Sequence, residues 1–157
     1  MRVKALWSVQ KKRQRRYYSG KKKRHTLKTQ LVVDKRSLQV ICTTFTNGKR
    51  HDFRLFKESK VRTLAIAKFL VDTGYQGIAA MHTNSELPKK RSKKQPLTKE
   101  DKRNNRRIAS ERVCNEHVIG VLKRFRILAE KYRNRRRRFG LRWNLTSGIY
   151  NLELRVV

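Results

Sequence analysis

Acids are scarce in this sequence, and two of them stand where metal chemistry would need them. Lysine and arginine number 43 against 11 aspartates and glutamates. Asp72 closes the apolar run from Ala65 to Val71 and opens Asp72-Thr73-Gly74-Tyr75-Gln76-Gly77, a strand end running into a glycine-rich turn. Glu116 lies in Asn115-Glu116-His117-Val118-Ile119-Gly120-Val121-Leu122, where apolar residues recur at helical spacing. An acid on a strand end and an acid on a following helix, both among cations, can share a divalent ion beside a phosphate backbone. Each has a plainer competitor. Asp72 can simply cap its turn, and Glu116 can pair with Arg112 or Lys123 along an exposed helix face.

The charge balance names the partner's chemistry. A formal charge of +32 with an isoelectric point near 11.4 cannot be neutralised internally, so a polyanion is expected. The cations cluster at Lys11–Arg24, Lys89–Lys94 and Arg133–Arg138, flanking segments with strand and helix patterning. That places the charge on a folding domain, and DNA is the expected partner. The candidate phosphate contacts are Arg15, Arg16, Lys21, Lys22, Lys23 and Arg24, then Lys89, Lys90 and Arg91, then Arg135, Arg136, Arg137 and Arg138. With 157 residues and 37% apolar composition, one domain with a real core is expected. No run reaches membrane-spanning length and the start is no signal peptide, which points to a cytoplasmic site of action. Cys42 and Cys114 show no zinc or disulfide spacing.

The elements that must position the two acids follow from local pattern. His25 to Val33 alternates Leu27, Leu31 and Val33 against Lys28 and Gln30, as a half-buried strand does. Asp34-Lys35-Arg36-Ser37 reads as a hairpin connection and Leu38 to Phe45 as the returning strand. Asp52 reads as the N-cap of a short helix, and Ala65 to Val71 as the central strand. Thr98 with Asp101 three residues on resembles a capping box that starts a long helix. Its apolar stripe is expected at Ile108, Val118, Leu122, Phe125 and Ala129. The final segment, Phe139 to Leu154, shows Leu145, Ile149 and Leu152 at helical spacing. The predicted class is α/β.

Five motifs in order, Lys12-Arg13-Gln14-Arg15-Arg16-Tyr17-Tyr18-Ser19-Gly20-Lys21-Lys22-Lys23-Arg24-His25-Thr26-Leu27-Lys28, Gly48-Lys49-Arg50-His51-Asp52-Phe53, Asp72 to Gly77, Asn115 to Gly120 and Tyr132 to Gly140, resemble the catalytic half of bacterial insertion-sequence transposases. The group is the DDE type, related to the Harbinger-like transposases. The resemblance implies a ribonuclease-H-like core, a mixed sheet flanked by helices. It implies DNA cleavage and strand transfer, with Asp72 as the second catalytic Asp and Glu116 as the catalytic Glu, both holding Mg²⁺ or Mn²⁺. The family's first Asp lies on its first core strand, yet no acid occurs between Met1 and Val33. The expectation is therefore a truncated, DNA-binding and catalytically impaired copy. Residues 1–10 would be an atypical N-terminal segment with the first strand missing or incomplete, and residues 11–157 the catalytic domain. Such a copy could associate with itself or with an intact transposase. The competing class is a basic RNA-binding or ribosome-associated protein, although no RNP-like motif or GXXG loop is present.

Overall fold

The computed structural model describes residues 2–6, 15, 17–20, 23–61, 66–92, 96–130 and 138–156, with the side chains of 2–6 excepted. The main sheet is built on β3 (Arg24–Val33), which is flanked by β1 (Arg2–Leu6) on one edge and β4 (Val40–Asn47) on the other. Both pairings are antiparallel, and β2 (Tyr18–Ser19) folds back onto the start of β3. Within residues 1–10, expected to be an atypical segment, Arg2–Leu6 forms a five-residue strand. It carries no carboxylate. The hairpin connection stands where the sequence places it. Asp34 Oδ2 accepts from the Ser37 N–H at 2.8 Å and the Ser37 hydroxyl at 2.7 Å, and these bonds hold its carboxyl below the ordinary value.

β3 is buried on both faces, which corrects the half-buried reading. Leu27 and Leu31 pack with Val118, Leu122 and Trp143 on one side. On the other, Lys28 is buried because it has a specific partner: its Nζ lies 3.2 Å from Asp52 Oδ1 and also donates to the Arg50 carbonyl. Asp52 is thus no cap. It is the first residue of α1 (Asp52–Ser59), whose N-cap is His51, and it is drawn inward by the lysine ammonium. A buried carboxylate without that cation would cost several kcal/mol. Gly48, just ahead, can only be glycine, since a Cβ there would sit 2.0 Å from Thr26 Oγ1 and 2.5 Å from its carbonyl oxygen.

The capping box is real: Thr98 Oγ1 accepts from the Asp101 N–H, and Asp101 Oδ2 from the Thr98 N–H, each at 3.1 Å. It starts α2 (Lys99–Leu122), which buries Ile108, Val118, Ile119 and Leu122. The helix ends earlier than its apolar pattern suggests. Phe125 adopts an extended backbone and begins the single turn α3 (Arg126–Ala129). This break turns Phe125 and Leu128 onto the core and leaves Ala129 exposed. The last helix, α4 (Phe139–Val156), also presents a different face from the one expected. It buries Phe139, Trp143, Thr146, Ser147 and Tyr150, because aromatic rings bring more apolar area to the sheet than the aliphatic stripe does. Leu145, Ile149 and Leu152 stay outside, with Leu141, Leu145, Leu152 and Val156 at 62% to 86% exposure. Polar bonds fix α4 to β4: Asn151 Oδ1 accepts from the Val40 N–H and its Nδ2 donates to the Val40 carbonyl, each at 2.9 Å.

Candidate active site

Asp72 stands at the end of β5 (Phe69–Leu70), which pairs in parallel with β6 (Ser85–Glu86) as a small separate sheet. The central strand expected over Ala65 to Val71 is therefore only two residues long and lies outside the main sheet. Ile66 is 89% exposed in a turn, and residues 62–65 lie outside the described residues. What holds Asp72 in place is a cluster of Phe56, Val71, Tyr75 and Ile78. The Tyr75 hydroxyl also donates to Gln30 Oε1 on β3 at 3.3 Å. Asp72 Oδ1 accepts from the Thr73 N–H at 2.7 Å, capping a one-turn 3-10 helix from Thr73 to Tyr75. Gly77, with φ of 90°, supplies the left-handed residue that ends this motif.

The turn aims Asp72 at α2. Arg112 Nη1 lies 3.6 Å from Asp72 Oδ1. Glu116 is one helical turn further along, on the face Arg112 shares, and is exposed. Asp72 thus meets α2 at Arg112, one helical turn before Glu116, and Glu116 is exposed. Arg112 is the residue the sequence reading missed in this role. Its spacing four before Glu116 suggested a pairing along the helix, whereas its partner is Asp72. Further charges tie β6 to the same helix: Glu86 bonds Lys68 at 2.7 Å and Arg107 at 2.8 Å, and Lys68 and then Arg107 hold its carboxyl below the ordinary value. Among the described residues no three His, Cys, Asp or Glu side chains gather as a metal site.

The histidines pack or stay exposed. His82 stacks at a tilt on Phe69 with centroids 4.9 Å apart, and His117 is exposed. Cys42 and Cys114 are free thiols, and burial pushes the Cys42 thiol up.

Of the cations singled out for phosphate contact, Arg15, Lys23, Arg24, Lys90, Arg91 and Arg138 are exposed. Lys89 is also exposed, but its ammonium bonds both Asp101 oxygens at 2.9 and 3.0 Å, and its backbone is gripped by Asn105. That tether fixes the basic loop to the start of α2. Arg16, Lys21, Lys22, Arg135, Arg136 and Arg137 lie outside the described residues. Among the described residues no helix is long and apolar enough to cross a membrane.

Comparison with known proteins agrees with the order of motifs. The family described as DDE superfamily endonuclease matches residues 5–151. The chain is 51% identical over 144 residues to a probable transposase for insertion sequence element IS702 from Microchaete diplosiphon, covering 92% of this chain and 52% of that protein. The chain thus spans about half the length of this relative. No solved structure matches. The match across nearly the whole chain, with Asp72 and Glu116 both inside it, shows that this chain belongs to the DDE superfamily of endonucleases.

Proposed function

We propose that this chain is the DNA-binding body of an insertion-sequence transposase catalytic domain, and that by itself it holds DNA without cutting it. The observation that carries the reading is the meeting of β5 and α2: Arg112 contacts Asp72, and Glu116 lies on the next turn. A ribonuclease-H-like core is the fold this reading implies. Its support is an antiparallel β1–β3–β4 sheet, a parallel β5–β6 pair, an acid at the end of β5 and a second acid on the helix that follows.

The donor chemistry of Asp72 and Glu116 suits Mg²⁺ or Mn²⁺, which take hard oxygen ligands and can be held by one or two carboxylates together with substrate phosphates. It does not supply the three carboxylates expected for a two-metal centre. When bound, such an ion would polarise a phosphoryl oxygen. The chain's own groups do the rest of the positioning. Arg112 lies against Asp72 and, being a planar cation, is suited to a backbone phosphate. Exposed Arg15, Arg24, Lys90, Arg91 and Arg138 attract the strand electrostatically.

Binding to unrelated duplexes over a salt series tests this. Log affinity is expected to fall linearly with log salt, by ~0.9 for each phosphate neutralised. Supercoiled DNA with Mg²⁺ or Mn²⁺ is expected to stay intact. Metal-dependent nicking that disappears in Asp72→Ala and Glu116→Ala would overturn the claim that the chain alone is inert. A flat salt response would remove the DNA reading altogether.

A further inference from the structure

The first two turns of α2 carry cations that the fold does not use. Lys99, Lys102, Arg103 and Arg106 are exposed. All 11 acids of the chain lie within the described residues, and none of the ion pairs they form there reaches these four. Asp101 and Glu111 of the same helix are turned to other partners, Lys89 for the first, Lys35 and Arg107 for the second. Residues 99 and 102, 103 and 106, 99 and 103, and 102 and 106 are three or four apart, and like charges at that spacing weaken a helix. Lys99 also stands in the first turn, where the macrodipole disfavours a cation. Helix formation therefore opposes this set, and a polyanion bound along it relieves the repulsion. The basic loop with exposed Lys90 and Arg91 is tied beside the ridge, because Asn105 bonds the Lys89 N–H and carbonyl at 2.8 and 3.0 Å. From Lys102 and Arg106 one line runs down the helix through Ala109, Val113, Glu116 and Gly120, at steps of four and three, and every residue on it is exposed. Between Arg106 and Glu116 the line carries no charge and no long side chain over about 15 Å. Beyond Glu116 a Cβ at Gly120 would meet nothing within 4 Å.

We propose that this face of α2 is a DNA track: the four cations hold neighbouring backbone phosphates, and the low stretch lets the strand continue to Glu116. The proposal rests on the DNA-binding reading above and adds where the strand lies. Arg103 and Arg106 offer planar forks that can take two phosphate oxygens, while Lys99 and Lys102 act as point charges. At 3.4 Å per step of one strand, about 15 Å of helix corresponds to roughly four steps. A strand gripped at Arg106 thus presents to Glu116 a linkage roughly four nucleotides away.

The test is binding of the full chain to a labelled duplex of unrelated sequence over a salt series. A triple variant, Lys102→Gln with Arg103→Gln and Arg106→Gln, is compared with a control that removes the same charge around α1, Lys49→Gln with Lys57→Gln and Lys60→Gln, all exposed. At ~0.9 per phosphate, the slope of log affinity against log salt is expected to fall by about 2.7 in the triple variant. The control is expected to keep the slope to within about one phosphate's worth. Acetylation of the unaltered chain should show Lys99 and Lys102 shielded by DNA, with Lys57 and Lys60 as reactive as before. Val113→Glu, at a position 58% exposed, sets an acid in the track and is expected to weaken binding about tenfold. Val113→Gln, of similar size and neutral, is expected to bind as the unaltered chain does. A chain that shows no salt-dependent binding removes the DNA reading and this proposal with it. Binding with an unchanged slope in the triple variant, an equal fall in the control, unshielded Lys99 and Lys102, or indifference to Val113→Glu overturns the track alone. The same losses on an RNA duplex and not on DNA would assign the face to RNA and also overturn it.

Discussion

The two acids of the candidate site rest on unequal foundations. Glu116 belongs to a helix anchored by Val118, Ile119 and Leu122 in a core shared with Leu27, Leu31, Leu128, Phe139 and Trp143. Asp72 stands on the four-residue cluster of Phe56, Val71, Tyr75 and Ile78. Between them run polar ties: Arg112 to Asp72, Arg107 to Glu86 and Tyr75 to Gln30. Hydrophobic burial scales with apolar area, so the larger core sets global stability. Exposed ion pairs contribute little each, so the smaller unit can open at lower free energy than the whole. One acid is held by the body of the fold and the other by an attachment to it.

Trp143→Ala, at a ring with no exposed surface, is expected to cost about 3–5 kcal/mol, read as a shift of the urea midpoint for the entire transition. A loss below ~1 kcal/mol would remove the larger core from its role. Ile78→Ala, equally buried, is expected to cost about 2–4 kcal/mol. Its signature should differ, because amide exchange around β5 and β6 should accelerate well before that of β3. Uniform acceleration would mean the two units open as one. Thr98→Ala deletes a cap on the larger body and is expected to cost about 1 kcal/mol, again in the midpoint, without affecting exchange at β5.

The smallest effect concerns the seam itself. Glu86 has its folded carboxyl below the ordinary 4.5 because Lys68 and Arg107 bond it. Its contribution is therefore present above the unfolded value and lost as pH falls through the lower, folded one. Acidification from 4.5 downward should loosen β6 from α2, and Glu86→Gln should flatten that dependence. An unchanged acid profile in the variant would assign the seam to other contacts.

Local chemistry was readable in advance and non-local partnership was not. The Asp34–Ser37 turn and the Thr98–Asp101 box are bonds across three residues, and sequence states them directly. Lys28 read as solvent-facing because nothing nearby in sequence announces Asp52, which reaches it only through the fold. The same blindness hid Asp72 from Arg112. For α4, the sequence showed Leu145, Ile149 and Leu152 at helical spacing, whereas the face the helix buries is that of Phe139, Trp143 and Tyr150, which only the packing on the sheet reveals. Asp72 and Glu116 were singled out through family motifs, and the contact that the fold makes there is the one between Asp72 and Arg112.

The stripe left outside on α4 has a thermodynamic consequence. Leu141, Leu145, Leu152 and Val156 are already hydrated in the folded chain, so unfolding hydrates little more of them. The heat-capacity increment and the denaturant slope both report newly wetted surface. Both should therefore fall below what 157 residues would ordinarily give, flattening the stability curve and making this protein less sensitive to temperature than its length implies.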